Sequence, residues 1–277
     1  MNAPLDASRI SALSCAVRQG LAIDVVASIG STNAELRQRF HQPDPSQGPV
    51  LLAAETQTAG RGRAGRSWLA APGDSLCFSL AWPLRGPVAR LAGLPLVVGV
   101  ALAQTLREAG HPVALKWPND LLLDGEKLGG ILVETVPQRA DATGPQWVVI
   151  GIGLNVHANP ARDAGIGHGV AALGENIDRN ALLASLADTL AQAMQQFDTD
   201  GLAPFIDRWQ RWHALAGLPV VIHDQGRLLH QGVARGIDAR GCLLLEGASG
   251  TLAIAAGDVS LRAAVPMTPE IPHAAAD

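Results

Sequence analysis

The stretch KWPNDLLLDGEKLGGILVE, Lys116 to Glu134, decides the fold. Two apolar runs, LLL (121–123) and LGGILV (128–133), flank the dipeptide Asp124–Gly125. Asp-Gly accepts positive φ at both centre positions of a two-residue turn, and that turn twists the way paired strands do. The segment therefore predicts a hairpin. Upstream, VALKW (113–117) reads as a short strand ending at Pro118, which has no N–H to give to a ladder. Downstream, QWVVIGIGLNV (146–156) supplies another strand. Strands joined by tight turns run antiparallel. The sheet is thus predicted to be mixed and mostly antiparallel, not doubly wound and parallel.

Outward from there, LAIDVVASI (21–29) and VLLAAET (50–56) read as strands. In SLCFSLAWPL (75–84), Leu76, Phe78, Leu80 and Trp82 alternate with smaller residues, the pattern of a half-buried strand. Helices are predicted over 8–19, 31–40, 87–109, 178–197 and 202–212. In the second, Thr32 is the expected cap and Glu35 completes a capping box. Residues 157–177 are rich in glycine and alanine and read as loop. From Leu218 the chain changes to four or five short strands with frequent turns, which predicts a small β-barrel. The expected organisation is an α+β domain over 1–214, a barrel domain over 215–265 and a disordered Pro/Ala-rich tail over 266–277.

At 277 residues and 48% hydrophobic content the chain can bury a sizeable core. A net charge of −4 argues against a general nucleic-acid binder, which usually carries a basic face. Cys15, Cys77 and Cys242 form no CxxC pair and point to a reducing, cytoplasmic compartment. No basic start leads into an apolar h-region, so no signal peptide is expected. The run LAGLPLVVGVALAQTL (91–106) is interrupted by Pro95 and Gly99 and predicts a buried core helix, not a membrane span.

GRGRAGRSW, Gly60 to Trp68, fits a phosphate-binding P-loop loosely, with Arg66 where lysine belongs and Ser67 after it. A P-loop must feed a helix, and Pro72 and Gly73 forbid one here. A solvated basic loop is the plain alternative. Against it, glycines let backbone N–H groups approach a ligand, arginines between them grip phosphate, and Trp68 offers a flat face. Such a loop suits closure over a reactive phosphorylated intermediate, excluding water. Lys116, Asn119 and Asp120 gather a cation, an amide and a carboxylate. That set serves either an ordinary turn with an ion pair or a phosphate site with Mg²⁺. Lys127 enters an apolar strand, where it either snorkels at the strand end or aims its ammonium into a pocket. Alternating glycines in IGIGLN (150–155) mark a close approach by a helix or a ligand, and Asn155 either caps a turn or meets that ligand. Of eight histidines, His157 and His168 can be drawn with Asp163 as a metal cluster, but the spacing matches no metal motif.

Taken in order, STN (31–33), ETQTAGRGRAGRSW (55–68), KWPNDLLLDGEKLGGILVE (116–134), IGIGLNV (150–156) and GLAPFIDRW (201–209) closely resemble the biotin–protein ligases, also called biotin–[acetyl-CoA-carboxylase] ligases. The resemblance runs from about residue 22 to residue 263. It implies a class II synthetase-like α+β domain followed by an SH3-like barrel. It implies that biotin and ATP, with Mg²⁺, form biotinyl-5′-adenylate, and that the biotinyl group then passes to a lysine of a biotin carboxyl carrier protein. No tightly bound prosthetic group is expected. Ser31, Thr32, Asn33, Gln57, Gly60, Arg61 and Gly62 fall at the biotin site. Arg63 falls at the adenylate phosphate, Trp68 on adenine, and Arg66 on the same nucleotide side. Lys127 falls at the acyl-phosphate oxygen. Lys116, Asn119 and Asp120 fall in the region handling ATP phosphates, metal and the incoming lysine, and Asn155 at the adenine or ribose. Some members carry an N-terminal DNA-binding domain. Too few residues precede STN for one, so DNA binding is expected to be absent. The oligomeric state, a homodimer included, is left open. A lipoate- or octanoate-type ligase and a non-catalytic biotin-sensing module are the alternatives.

Overall fold

The computed structural model describes residues 3–41, 47–137, 144–159, 169–224, 227–255 and 259–263. Asp163, His168 and the tail 266–277 lie outside the described residues. The larger sheet holds β1 (Ala22–Ile29), β2 (Val50–Gln57), β3 (Ser75–Leu84), β4 (Ala114–Lys116), β5 (Asp120–Leu123), β6 (Glu126–Thr135) and β7 (Gln146–Asn155). Their spatial order is β1-β2-β3-β7-β6-β5-β4. β1 and β2 pair in parallel, and the other neighbours are antiparallel. The Asp124–Gly125 turn closes the β5–β6 hairpin with φ of 52° and 82°, the left-handed pair the dipeptide predicts.

Among the described residues, the α-helices that accompany this sheet are α1 (Ala7–Leu13), α2 (Thr32–Arg39), α3 (Leu94–Glu108), α4 (Arg179–Asp200) and α5 (Ile206–Arg211). Strand alternation sends Leu51, Phe78, Leu80, Ile150 and Ile152 into the core beneath α1, α3 and α4. The intervening Leu52, Ala81 and Val149 face the other way, under Leu36 and Phe40 at α2. The result is helices, sheet, helix in three layers. β3 is therefore buried on both faces, not half-buried: Ser79, on the α2 side, is 0% exposed. Its small residues make room for α2.

Three helix expectations need correction. Residues 8–19 split into α1 and a 3-10 turn, Ala16–Gln19. Ser31, not Thr32, caps α2, its Oγ accepting from Ala34 N at 3.4 Å; Glu35 instead pairs with Arg39 one turn on. The apolar run 87–109 starts as a 3-10 helix, Val88–Gly93, before α3. Pro95 sits in the first turn of α3, where its missing N–H costs nothing. The helical stretch Val88–Glu108 is long and apolar enough to cross a membrane, but most of its apolar residues, Leu94, Leu96 to Val98 and Val100 to Ala103 among them, are buried in the core, while Val88 is exposed.

The second sheet holds β8 (Pro219–Asp224), β9 (Arg227–Ile237), β10 (Leu243–Gly247), β11 (Gly250–Ile254) and β12 (Val259–Ala263), in the order β11-β10-β9-β8-β12. All its pairings are antiparallel. Its apolar face continues the main core through Val220, Ile222, Leu243 and Leu261. Trp117, fully buried, donates its indole N–H to Gly241 O at 3.2 Å across the junction. His213, just after α5, is buried beside Trp209 with ring centroids 4.6 Å apart. Neither of its nitrogens has a partner, and burial pushes its pKa down to about 4.

Candidate active site

The first turn of a helix leaves backbone N–H groups without intrahelical partners. At α2, Gln57, the last residue of β2, answers one of them: its Oε1 accepts from Thr32 N at 2.8 Å. The Thr32 hydroxyl lies 2.6 Å from Ser79 Oγ on β3, and Ser79 donates to Asn33 Oδ1 at 2.5 Å. Asn33 Nδ2 in turn donates to Glu134 Oε2 at 2.9 Å. A chain of buried polar groups thus links α2, β2, β3 and β6. Gly151 is needed beneath it, since a Cβ there would sit 2.8 Å from Asn33 Cγ.

GRGRAGRSW folds as a small hairpin. Trp68 N donates to Gly60 O at 2.9 Å, Gly62 N to Arg66 O at 2.6 Å, and Ala64 and Gly65 turn the chain with positive φ. The chain then runs to β3 with no helix between, as the failed P-loop match requires. Contacts from Arg63, Arg61 and Trp68 hold the hairpin over the sheet. Arg63 Nη1 donates to Asn119 Oδ1 at 3.0 Å. Arg61 Nη2 stands 3.6 Å from Glu134. The Trp68 indole lies on Gly153, where a Cβ would come within 2.7 Å of its Nε1. The alternating glycines of IGIGLN therefore serve two visitors, α2 at Gly151 and the loop tryptophan at Gly153.

Asn119 is free to hold Arg63 because its Nδ2 donates to Ile131 O at 2.7 Å, extending the strand pairing past Pro118. In the neighbouring ladder, Leu121 pairs with Gly129 but Leu122 pairs with Lys127, so Leu128 is an inserted residue. Bulges re-aim side chains. Here Lys127 Nζ meets Asp120 Oδ1 at 2.6 Å. Gly130 keeps the floor between Lys127 and Trp68 low, with 3.6 Å to each from the place a Cβ would take.

These parts enclose a cavity of about 390 Å³, in the range of small-ligand sites. Ser31, Thr32, Asn33, Gln57, Arg61, Gly62, Arg63, Arg66, Trp68, Asn119, Asp120, Lys127 and Asn155 all line it. Two expected residues do not. Gly60 lies under Trp68 and lines a neighbouring hollow of about 400 Å³. Lys116 pairs with Asp120 across the β4–β5 ladder, outside the cavity lining. Burial lowers its pKa; Asp120 opposes that, while Lys127, Arg262 and Arg66 add to it. Asn155 spends its amide nitrogen on Ala171 O at 3.1 Å and on Lys127 O at 3.4 Å, so only its carbonyl end remains for a ligand. Trp68 packs on the sheet with its indole nitrogen buried and unpartnered.

Three contributors carry no role in the sequence reading. Ser79 and Glu134 act through contacts 46 to 101 residues away, and Arg262 of β12 adds only its charge at Lys116, outside the cavity lining. The local signal is Ser79 itself, a hydroxyl between Phe78 and Leu80 in an otherwise apolar strand.

Residues 25–155 match the profile of the biotin/lipoate A/B protein ligase family, and residues 218–262 that of the biotin protein ligase C terminal domain. The bifunctional ligase/repressor BirA of Escherichia coli is 38% identical over 252 residues, 88% of this chain and 75% of that protein. A biotin–[acetyl-CoA-carboxylase] ligase of Paracoccus denitrificans is 36% identical over 244 residues, 85% of this chain and 98% of that one. A biotin protein ligase from Aquifex aeolicus, solved in complex with biotin and ATP, superposes with a TM-score of 0.70 at 25% identity, covering 87% of this chain and 99% of that one.

Proposed function

The chain belongs to the biotin protein ligase family, and from that premise we propose that it activates biotin with ATP and transfers it to a lysine of a carboxyl-carrier protein. The acceptor is proposed to be the biotin carboxyl carrier domain of acetyl-CoA carboxylase or a similar carboxylase. In the first step a biotin carboxylate oxygen attacks the α-phosphorus of ATP. The bond to pyrophosphate breaks and biotinyl-5′-adenylate forms. In the second, the acceptor amine attacks the acyl carbon, loses a proton, and AMP leaves.

One observation carries this assignment: the Lys127–Asp120 pair sits in the same cavity as the buried hydroxyl and amide chain, under a loop of three arginines. Negative charge grows on phosphoryl oxygens in the first step and on the acyl oxygen in the second. A fixed ammonium beside both is stronger in the transition state than in the ground state. Asp120 holds that ammonium in place. Arg63, braced by Asn119, supplies charge to the phosphate, and the hairpin keeps water from the mixed anhydride. The buried polar wall suits a hydrogen-bonding head group. An octanoyl or dithiolane terminus would leave that wall unpaired, at a cost of roughly 1–3 kcal/mol per group, which disfavours the lipoate-type alternative.

Mg²⁺ enters with the nucleotide. Asp120 is the one carboxylate among the described cavity-lining residues, and no group of three or more His, Cys, Asp or Glu among the described residues could hold a metal ion. Mg²⁺ keeps its waters and takes one or two carboxylates beside phosphate oxygens. The donors here suit a phosphate-borne ion, not a resident one. We place the domain boundary between residues 214 and 215, and the reaction in the cytoplasm, where Cys15, Cys77 and Cys242 stay as free thiols.

Incorporation of labelled biotin into an isolated carrier domain tests the assignment. Label should appear on one lysine, only with ATP. Label that appears without ATP, or none at all, would rule the assignment out.

A further inference from the structure

We propose that Glu134 sets the direction of the buried hydrogen-bond chain and so makes the Thr32 hydroxyl an acceptor toward the ligand; this rests on the biotin assignment above. The Glu134 carboxylate receives Asn33 Nδ2 at 2.9 Å on one oxygen and Arg37 Nη1 at 2.9 Å on the other. A carboxylate only accepts. Leu132 O, also acceptor-only, lies 3.4 Å from the same Asn33 nitrogen. Two acceptors on one side leave the Asn33 amide a single orientation, with Oδ1 toward Ser79.

Ser79 has one proton and must give it to Asn33 Oδ1 at 2.5 Å. The 2.6 Å contact between Ser79 Oγ and Thr32 Oγ1 is then a hydrogen bond only if Thr32 donates. Thr32 Oγ1 is left with lone pairs and no free proton. Gln57 Oε1, 3.1 Å away, has a second lone pair for the Thr32 hydroxyl, but that hydroxyl has one proton, and the shorter 2.6 Å contact with Ser79, whose own proton goes to Asn33, claims it. An oxygen of this kind at the cavity wall pairs with a ligand N–H and opposes a ligand carbonyl, ether or sulfur. The cyclic urea of biotin offers N–H groups there; a dithiolane or alkyl end offers none.

Glu134 is outside the cavity lining and acts on Thr32 through Asn33 and Ser79, so it is a positioning residue; it also stands 3.6 Å from Arg61 Nη2 of the hairpin. Glu134→Gln keeps the shape but can offer an NH₂ to Asn33, which permits the flipped amide and the reversed chain. The experiment measures KM and kcat for pyrophosphate release with two probes: biotin, and a cyclic carbamate analogue in which ring oxygen replaces one ureido N–H. Loss of one oriented hydrogen bond should raise the biotin KM of Glu134→Gln about 10-fold, with kcat at saturation and the KM for ATP nearly unchanged. Its preference for biotin over the carbamate should shrink by a similar factor. Arg37→Gln removes the ion pair but leaves the chain intact, and its preference should match wild type. Ser79→Ala breaks the same chain one step nearer the ligand and should lose the preference too, which covers the case of a misfolded Glu134 variant. An unchanged preference in Glu134→Gln or Ser79→Ala, or an Arg37→Gln variant that reproduces the whole loss, would overturn the proposal. A wild type inactive with biotin would instead sink the biotin assignment itself.

Discussion

Thr32, Asn33 and Ser79 are 3%, 4% and 0% exposed, whereas Arg61, across the cavity, keeps 46% of its side chain in solvent. The first wall is held by three strands of the sheet and α2 through hydrogen bonds that leave few alternatives. The second is a nine-residue hairpin whose contacts with the sheet include an arginine–amide bond, a long ion pair and a tryptophan resting on glycine. Buried, fully partnered groups are costly to disturb; exposed ion pairs contribute little. On the function proposed above, we assign selection of the head group to the buried wall, and retention of the adenylate to the more exposed hairpin.

The largest expected effect lies between the two walls. Lys127→Ala should lower kcat/KM by about 10²–10³-fold, the scale of losing one charge-stabilising donor, with unchanged circular dichroism. Near-wild-type pyrophosphate release would remove Lys127 from the chemistry. Next comes acid, which separates buried from exposed groups throughout the molecule. The buried, neutral His213 has its pKa pushed from 6.5 down to about 4. Unfolded chains take up the proton first, so stability from this site is complete above pH 6.5 and drains away as pH falls toward 4. At about 1.4 kcal/mol per pKa unit the loss is roughly 3 kcal/mol. Urea midpoints at pH 7 and pH 5 should differ in wild type and converge in His213→Phe; equal slopes in both would exclude this residue.

Ser79→Ala strands Thr32 and Asn33 inside the rigid wall. It should cost about 1–3 kcal/mol of stability, read from denaturant midpoints. A neutral effect would mean the wall is less fixed than its distances suggest. Breaking the exposed wall's ion pair by Arg61→Ala should change the stability of the unliganded protein by no more than about 1 kcal/mol, while biotinyl-adenylate escapes faster. A large loss of stability from this change would erase the distinction between the walls.

Local chemistry made much of the architecture readable. Asp124–Gly125 specifies the hairpin, Pro118 ends β4, and the change of texture after Leu218 marks the second sheet. What stayed hidden depends on distant pairing. The parallel match of β1 with β2 leaves no local trace, nor does the position of β3 at the centre of the sheet, which turns an apparently half-buried strand into one covered on both sides. Among the cavity-lining residues, STN and Gln57 enter only through the family resemblance, whereas the arginine loop and Lys127 stand out by residue type and spacing. Glu134 does not, because its partners Asn33 and Arg37 come from about 100 residues upstream. Nor does the inserted Leu128, which re-aims Lys127 through ladder register, not composition.

Pyrophosphate release with biotin, lipoate or octanoate as the sole acyl substrate tests the account most directly, since it reads head-group selection and adenylate formation together. Robust release with biotin and background release with the other two is the predicted result. Comparable release with octanoate would contradict it.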